Sequence, residues 1–100
     1  MLCLEEILST LDRNALLLRE QYYVQKIGVF GSYARGAQQQ DSDIDFLVEF
    51  SPECPDLFET KYNLRRFLQQ IFEKKVDLAN IEYLKPYIKE NLLLEVKYAG

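Results

Sequence analysis

Apolar residues recur at helical spacing from the start of the chain. Leu4, Ile7/Leu8, Leu11, Ala15, Leu18 and Tyr22 fall on one stripe, which predicts a first helix over residues 2–23. Lys26–Ser32 (KIGVFGS) then reads as a short strand that runs into a glycine. Asp43–Phe50 alternates, with Ile44, Phe46, Val48 and Phe50 on one face. Ser51–Pro55 is a breaker-rich loop. Asp56–Lys74 predicts a second amphipathic helix, with Leu57, Leu64, Leu68 and Ile71 on one side and Phe58, Phe67 and Phe72 widening the stripe. Lys75–Asn80 reads as a short strand, and Lys85–Tyr98 as a last helix with Pro86 where its missing N–H is harmless. The order α-β-β-α-β-α predicts an α/β (α+β) fold, a small mixed sheet with helices on one face. Successive helical positions are ~100° apart, so Leu92, Leu93 and Leu94 cannot all face one sheet. At least one of them faces outward or meets a partner.

The chain has 100 residues, which suits one domain over residues 1–100. Its balance of 48% hydrophobic and 28% charged residues is that of a folded globule. A net charge of −4 argues against a protein that grips nucleic-acid backbone by bulk charge. No apolar run is long enough to span a bilayer, and Glu5 and Glu6 stand where a secretion signal needs basic residues. A cytoplasmic location is therefore expected. Cys3 and Cys54 belong to no metal-ligand spacing and read as free thiols. The chain contains no histidine, which removes Ser-His-Asp and Cys-His catalysis and histidine-based metal sites. If the chain is an enzyme, carboxylates must carry the chemistry.

Strand parity brings such carboxylates together. Asp43 and Asp45 lie two positions apart and point to the face opposite Ile44, Phe46 and Val48. Asp77 lies between Val76 and Leu78, so it too points away from the core. At ~5 Å and an effective dielectric of ~20, two carboxylates repel by roughly 3 kcal/mol. A divalent cation would neutralise such a cluster, and Mg²⁺ typically takes one or two carboxylates together with substrate phosphates. Upstream, Gly31-Ser32 closes the first strand and Tyr33–Gly36 (YARG) opens a helical turn. Glycine lets a phosphate approach the backbone, and the free N–H groups and the Ser32 hydroxyl form an anion cradle. Arg35 adds charge there, with an ion pair to Asp41 or Glu49 as its alternative. Asp41 and Ser42 shape the loop entering the strand, and Ser42 is within reach of a bound nucleotide. Arg65-Arg66 and Lys74-Lys75 read as solvated helix-end charges, and Tyr22 and Tyr23 as packing residues. A phosphate cradle beside a metal-binding carboxylate pair is apparatus for phosphoryl or nucleotidyl transfer.

Gly31-Ser32, ten residues, and then Asp43-Ile44-Asp45 resembles the signature of the DNA polymerase β-like nucleotidyltransferases. The run GSYARGAQQQDSDIDFLVEF resembles, more narrowly, the minimal nucleotidyltransferases, and the likeness continues through KVDL and LKPYIKE. This resemblance implies a polymerase β-like core with Ser32 and nearby backbone on a triphosphate. It implies Asp43 and Asp45 as ligands of Mg²⁺, with two ions bridging them to the phosphates. Asp77 becomes the third acid, a further residue of the metal site that orients or deprotonates an attacking hydroxyl. It implies ATP as substrate, AMP as the transferred group, and as acceptor a tyrosine of a HEPN-domain ribonuclease toxin encoded alongside. The chain would then act as the toxin's antitoxin in a hetero-oligomer. Position 33 is Tyr where relatives often carry Arg, which implies less positive charge at the cradle.

Three functions follow from these residues. The first is transfer of AMP to a protein hydroxyl. The second is a binding module that covers a toxin's active site with the nucleotide pocket idle, which the leucine run suits. The third, transfer to a small molecule, needs an added acceptor domain for which the chain has no room.

Overall fold

The computed structural model describes residues 1–100. Its elements are α1 (Leu4–Arg13), α2 (Ala15–Tyr22), β1 (Val24–Phe30), α3 (Ser32–Arg35), β2 (Ile44–Phe50), α4 (Leu57–Phe72), β3 (Val76–Asn80), a 3₁₀ turn (Ile81–Tyr83), α5 (Pro86–Glu95) and β4 (Lys97–Tyr98). The four strands form one mixed sheet in the order β3-β2-β1-β4. β1 runs antiparallel to both β2 and β4, and β2 runs parallel to β3.

The alternation seen in the sequence builds the main core. Ile27 pairs with Val48 and Val29 with Phe46 on the face that α1, α2 and α4 cover. Ile7, Leu11, Leu18, Leu64 and Leu68 fill that layer, and the Phe46 and Phe72 rings sit 5.8 Å apart. Tyr22 stacks on Phe67 at 5.0 Å, consistent with a packing residue. Asp56 caps α4 by accepting a hydrogen bond from the Glu59 N–H at 3.0 Å, which stops the breaker-rich loop and starts the helix.

Three expectations need correction. The helix predicted over 2–23 is two helices. Asn14, between them, donates its side-chain amide to the Thr10 carbonyl at 2.8 Å, the local competition that makes asparagine a poor helix-interior residue. The helix predicted over 85–98 stops at Glu95, and Val96 turns extended so that Lys97 and Tyr98 pair with β1. The helices also do not all lie on one face. A chain leaving β3 at one edge and entering β4 at the other must cross the sheet, and it does so over the face opposite the main core. Val96 lies there against Gly28, where an added Cβ would sit 2.7 Å from Val96 Cγ2. Leu47 shares that face with Gly28 and is only 1% exposed. Leu92 is half-buried, whereas Leu93 is exposed and Leu94 is 87% exposed, so the leucine run does present apolar surface to solvent.

Candidate active site

The site forms at the entrance to β2, on the face opposite the main core. Asp43 immediately precedes the strand, and Asp45 is its second residue. Parallel pairing sets Asp77 beside Asp45 in register, and antiparallel pairing sets Phe30 on Asp45's other side. The Ile44 N–H donates to the Lys75 carbonyl at 3.1 Å and ties the two strand starts together. Asp43 and Asp45 are half-buried, and Asp77 is exposed. No group of three or more carboxylate, cysteine or histidine side chains stands close enough to hold a metal ion by itself. The three aspartates share a face, but they are not a closed ligand set. The fit is to a cation held by the Asp43 and Asp45 oxygens and completed by other oxygen donors, as Mg²⁺ on a phosphate substrate requires.

Gly31 follows Phe30 and brings the cradle against this pair. Its φ of 76° and ψ of −151° lie in a region reserved for glycine. A Cβ there would also collide with Asp45 Oδ2. Glycine is thus required twice, for its backbone angles and for the closeness of the carboxylate. Ser32 opens the single turn of α3, and Gly36 closes it with φ 71°.

Arg35 takes a partner that differs from those expected, whereas Ser42 shapes the loop as expected. Arg35 Nη1 donates to Glu95 Oε1 at 2.8 Å, so its ion pair is with neither Asp41 nor Glu49. The other oxygen of the same carboxylate, Glu95 Oε2, accepts the Gly31 N–H at 2.7 Å. The Ser42 hydroxyl oxygen accepts from the Gln39 N–H at 2.8 Å and braces the loop before β2. Tyr33 does not face the cradle at all. It is 1% exposed and belongs to the main core, so its side chain packs there and not on the cradle.

The sequence reading missed two residues that shape the site. Lys74 is not a free helix-end charge. Its ammonium donates to the Gln40 carbonyl at 2.6 Å and pins the loop that delivers Asp43. Glu95 is the other, brought in by a contact spanning 64 positions that local patterning does not register.

The charges reflect this crowding. Burial pushes the Asp45 carboxyl above its ordinary value, and Asp77 and then Asp43 push it further. The Glu95 carboxyl is held below its ordinary value by the Gly31 N–H and then by the Arg35 guanidinium. Asp45 thus has only the Arg35 charge set against its acidic neighbours, while Glu95 has two donors of its own.

Comparisons with known proteins give the chain's family. The family model for the nucleotidyltransferase domain matches residues 11–99. A protein of Thermococcus cleftensis, the protein adenylyltransferase MntA, is 44% identical over 98 residues, covering 98% of this chain and 97% of the relative. Among solved structures, one described as a minimal nucleotidyltransferase superposes with a TM-score of 0.78 at 29% identity, covering 96% of this chain and 95% of that one. A structure of tri-AMPylated Shewanella oneidensis HEPN toxin in complex with MNT antitoxin matches in fold, with a TM-score of 0.61 at 18% identity, over 91% of this chain and 70% of that one. A family match over residues 11–99 and identity that runs almost end to end place this protein in the nucleotidyltransferase-domain family as an MntA-like protein adenylyltransferase.

Proposed function

We propose that this chain transfers AMP from ATP to a tyrosine hydroxyl of a HEPN-type ribonuclease toxin and silences it as its antitoxin. The observation that carries the reading is the meeting of Asp45 with Asp77 on one side and with the tight Gly31 turn on the other. The partner is supported by the likeness to an antitoxin solved together with an AMPylated HEPN toxin.

Asp43 and Asp45 would hold Mg²⁺, which when bound would neutralise phosphate charge and position the triphosphate. Gly31, Ser32 and Arg35 receive the phosphates through backbone N–H groups, a hydroxyl and a guanidinium. The acceptor oxygen attacks the α-phosphorus in line. The bond from that phosphorus to the bridging oxygen breaks, and pyrophosphate leaves with its electron pair. Asp77 orients the acceptor hydroxyl or takes its proton, a role supported by its exposed position beside Asp45. Little else is asked of the protein, because phosphorus transfer relies mainly on positioning and electrostatics.

The binding-module reading has one observation in its favour, the exposed Leu93 and Leu94 on α5. Label transfer separates the two. The chain is mixed with Mg²⁺, α-³²P-ATP and the HEPN protein encoded beside it, in parallel with the Asp43→Asn/Asp45→Asn double variant. Label on the partner from the wild type, reduced at least about a thousandfold in the variant, is expected for loss of metal-held positioning. No label, with a stable complex still formed, would establish the binding module instead.

A further inference from the structure

Glu95 has no part in the reaction described above, yet it holds the cradle's donors. One of its oxygens accepts the Gly31 N–H at 2.7 Å and the other accepts from Arg35 at 2.8 Å. Two oxygens of one anion on a backbone N–H and a guanidinium is also how a phosphate group would use the same donors. The remaining charge around it is negative, since Glu95 adds to the field that Asp43 and Asp77 already place on Asp45. A polyphosphate entering beside an unmoved Glu95 would meet a like charge at the point where it needs a donor.

The element that carries Glu95 is lightly held. α5 buries none of its ten residues. Its anchors lie beyond its ends, in the buried Ile81 before it and in the pairing of Lys97 and Tyr98 with β1 after it. Its last turn closes through the Val96 N–H on the Leu92 carbonyl at 2.9 Å. Fraying of that one turn carries Glu95 away and frees both donors without disturbing the main core.

We infer that Glu95 is a tethered competitor for the nucleotide's phosphates: it fills the cradle in the free protein, and the triphosphate takes Gly31 and Arg35 by displacing it. This inference rests on the reading of the cradle as the triphosphate site. The alternative is a brace, in which Glu95 holds Arg35 in its working position. The two predict opposite signs.

The test is the affinity for α,β-methylene-ATP with Mg²⁺, measured by calorimetry on the wild type, Glu95→Gln and Asp43→Asn/Asp45→Asn. Glutamine keeps an oxygen for the Gly31 N–H and loses the charge. A competitor predicts that Glu95→Gln lowers Kd by roughly three- to tenfold, the scale of one partly exposed charged contact. The same variant should melt at a lower temperature, because a stabilising pair has been removed. An unchanged or higher Kd overturns the inference. Backbone amide exchange on the wild type gives a second readout that needs no variant. The analogue should speed exchange at Val96, and slowed or unchanged exchange there contradicts displacement. If the wild type does not bind the analogue, or the double variant binds it equally well, the triphosphate reading itself fails and the competitor fails with it.

Discussion

On one face the sheet presents Ile27, Val29, Ile44, Phe46 and Val48 to three helices, all in one buried cluster. On the other face, at the same strand ends, it presents Asp45 and Asp77 side by side. The two faces alternate residue by residue along β2, so one register fixes both. The first face gains stability from apolar burial. The second gives some of it up, because Asp45 is half-buried among like charges with only Arg35 opposing them. The acidic face is thus kept at a cost to the fold, a cost that a bound cation and polyphosphate would offset under the proposed function.

The comparison has a pH signature. Asp45 has a folded-state pKa above its unfolded value. Its contribution is therefore present at low pH and is lost as pH rises from the ordinary aspartate value through the raised folded one. Glu95 has the opposite sign. Its folded value is depressed, so its stabilisation is present above the unfolded value and is lost as pH falls through the folded one.

Substitutions on the two faces should separate stability from activity. The largest loss of stability is expected from Phe46→Ala, which empties a fully buried site and should cost about 3–5 kcal/mol in urea unfolding. A cost under about 1 kcal/mol would mean that the helical face does not hold the fold. Next is Gly31→Ala. It forces a side chain into glycine-only backbone space and against Asp45, at about 1–3 kcal/mol of strain. Label transfer should fall at least about a hundredfold while the far-ultraviolet circular dichroism stays unchanged. Retained transfer would remove Gly31 from the site. The smallest effect is expected from Tyr33→Phe. The Tyr33 hydroxyl is buried with no hydrogen-bond partner in the protein, so its removal should leave stability unchanged or raise it by up to about 1 kcal/mol. Transfer should be unaffected, because the ring belongs to the core and not to the cradle. A drop in transfer would move Tyr33 back to the phosphate side.

The parts of this molecule legible in the sequence are those governed by short-range rules. Period-two alternation marks β2 and puts Asp43 and Asp45 on its non-core side, and Gly31-Ser32 marks the turn. The breaker-rich Ser51–Pro55 marks the approach to α4. The illegible parts depend on long-range partners or on too few residues. β4 is two residues long and exists because β1 offers it an edge. The split at Asn14 hinges on one side chain within an otherwise continuous apolar stripe. Tyr33 lies one residue past Ser32, and a helix of a single turn gives no periodicity from which to tell that it points inward. The partner of Arg35 lies 60 positions away, where spacing rules have no reach.

The most direct test of the central claim is the melting temperature of the wild type and of Asp43→Asn/Asp45→Asn, each with and without Mg²⁺ and α,β-methylene-ATP. The account predicts that the double variant melts above the wild type when no ligand is present, because two crowded charges are gone. It also predicts that the variant loses the ligand-induced rise that the wild type shows. A double variant that melts below the free wild type, or that keeps the full rise, would contradict the claim that these carboxylates are held against stability for the sake of a metal-bound nucleotide.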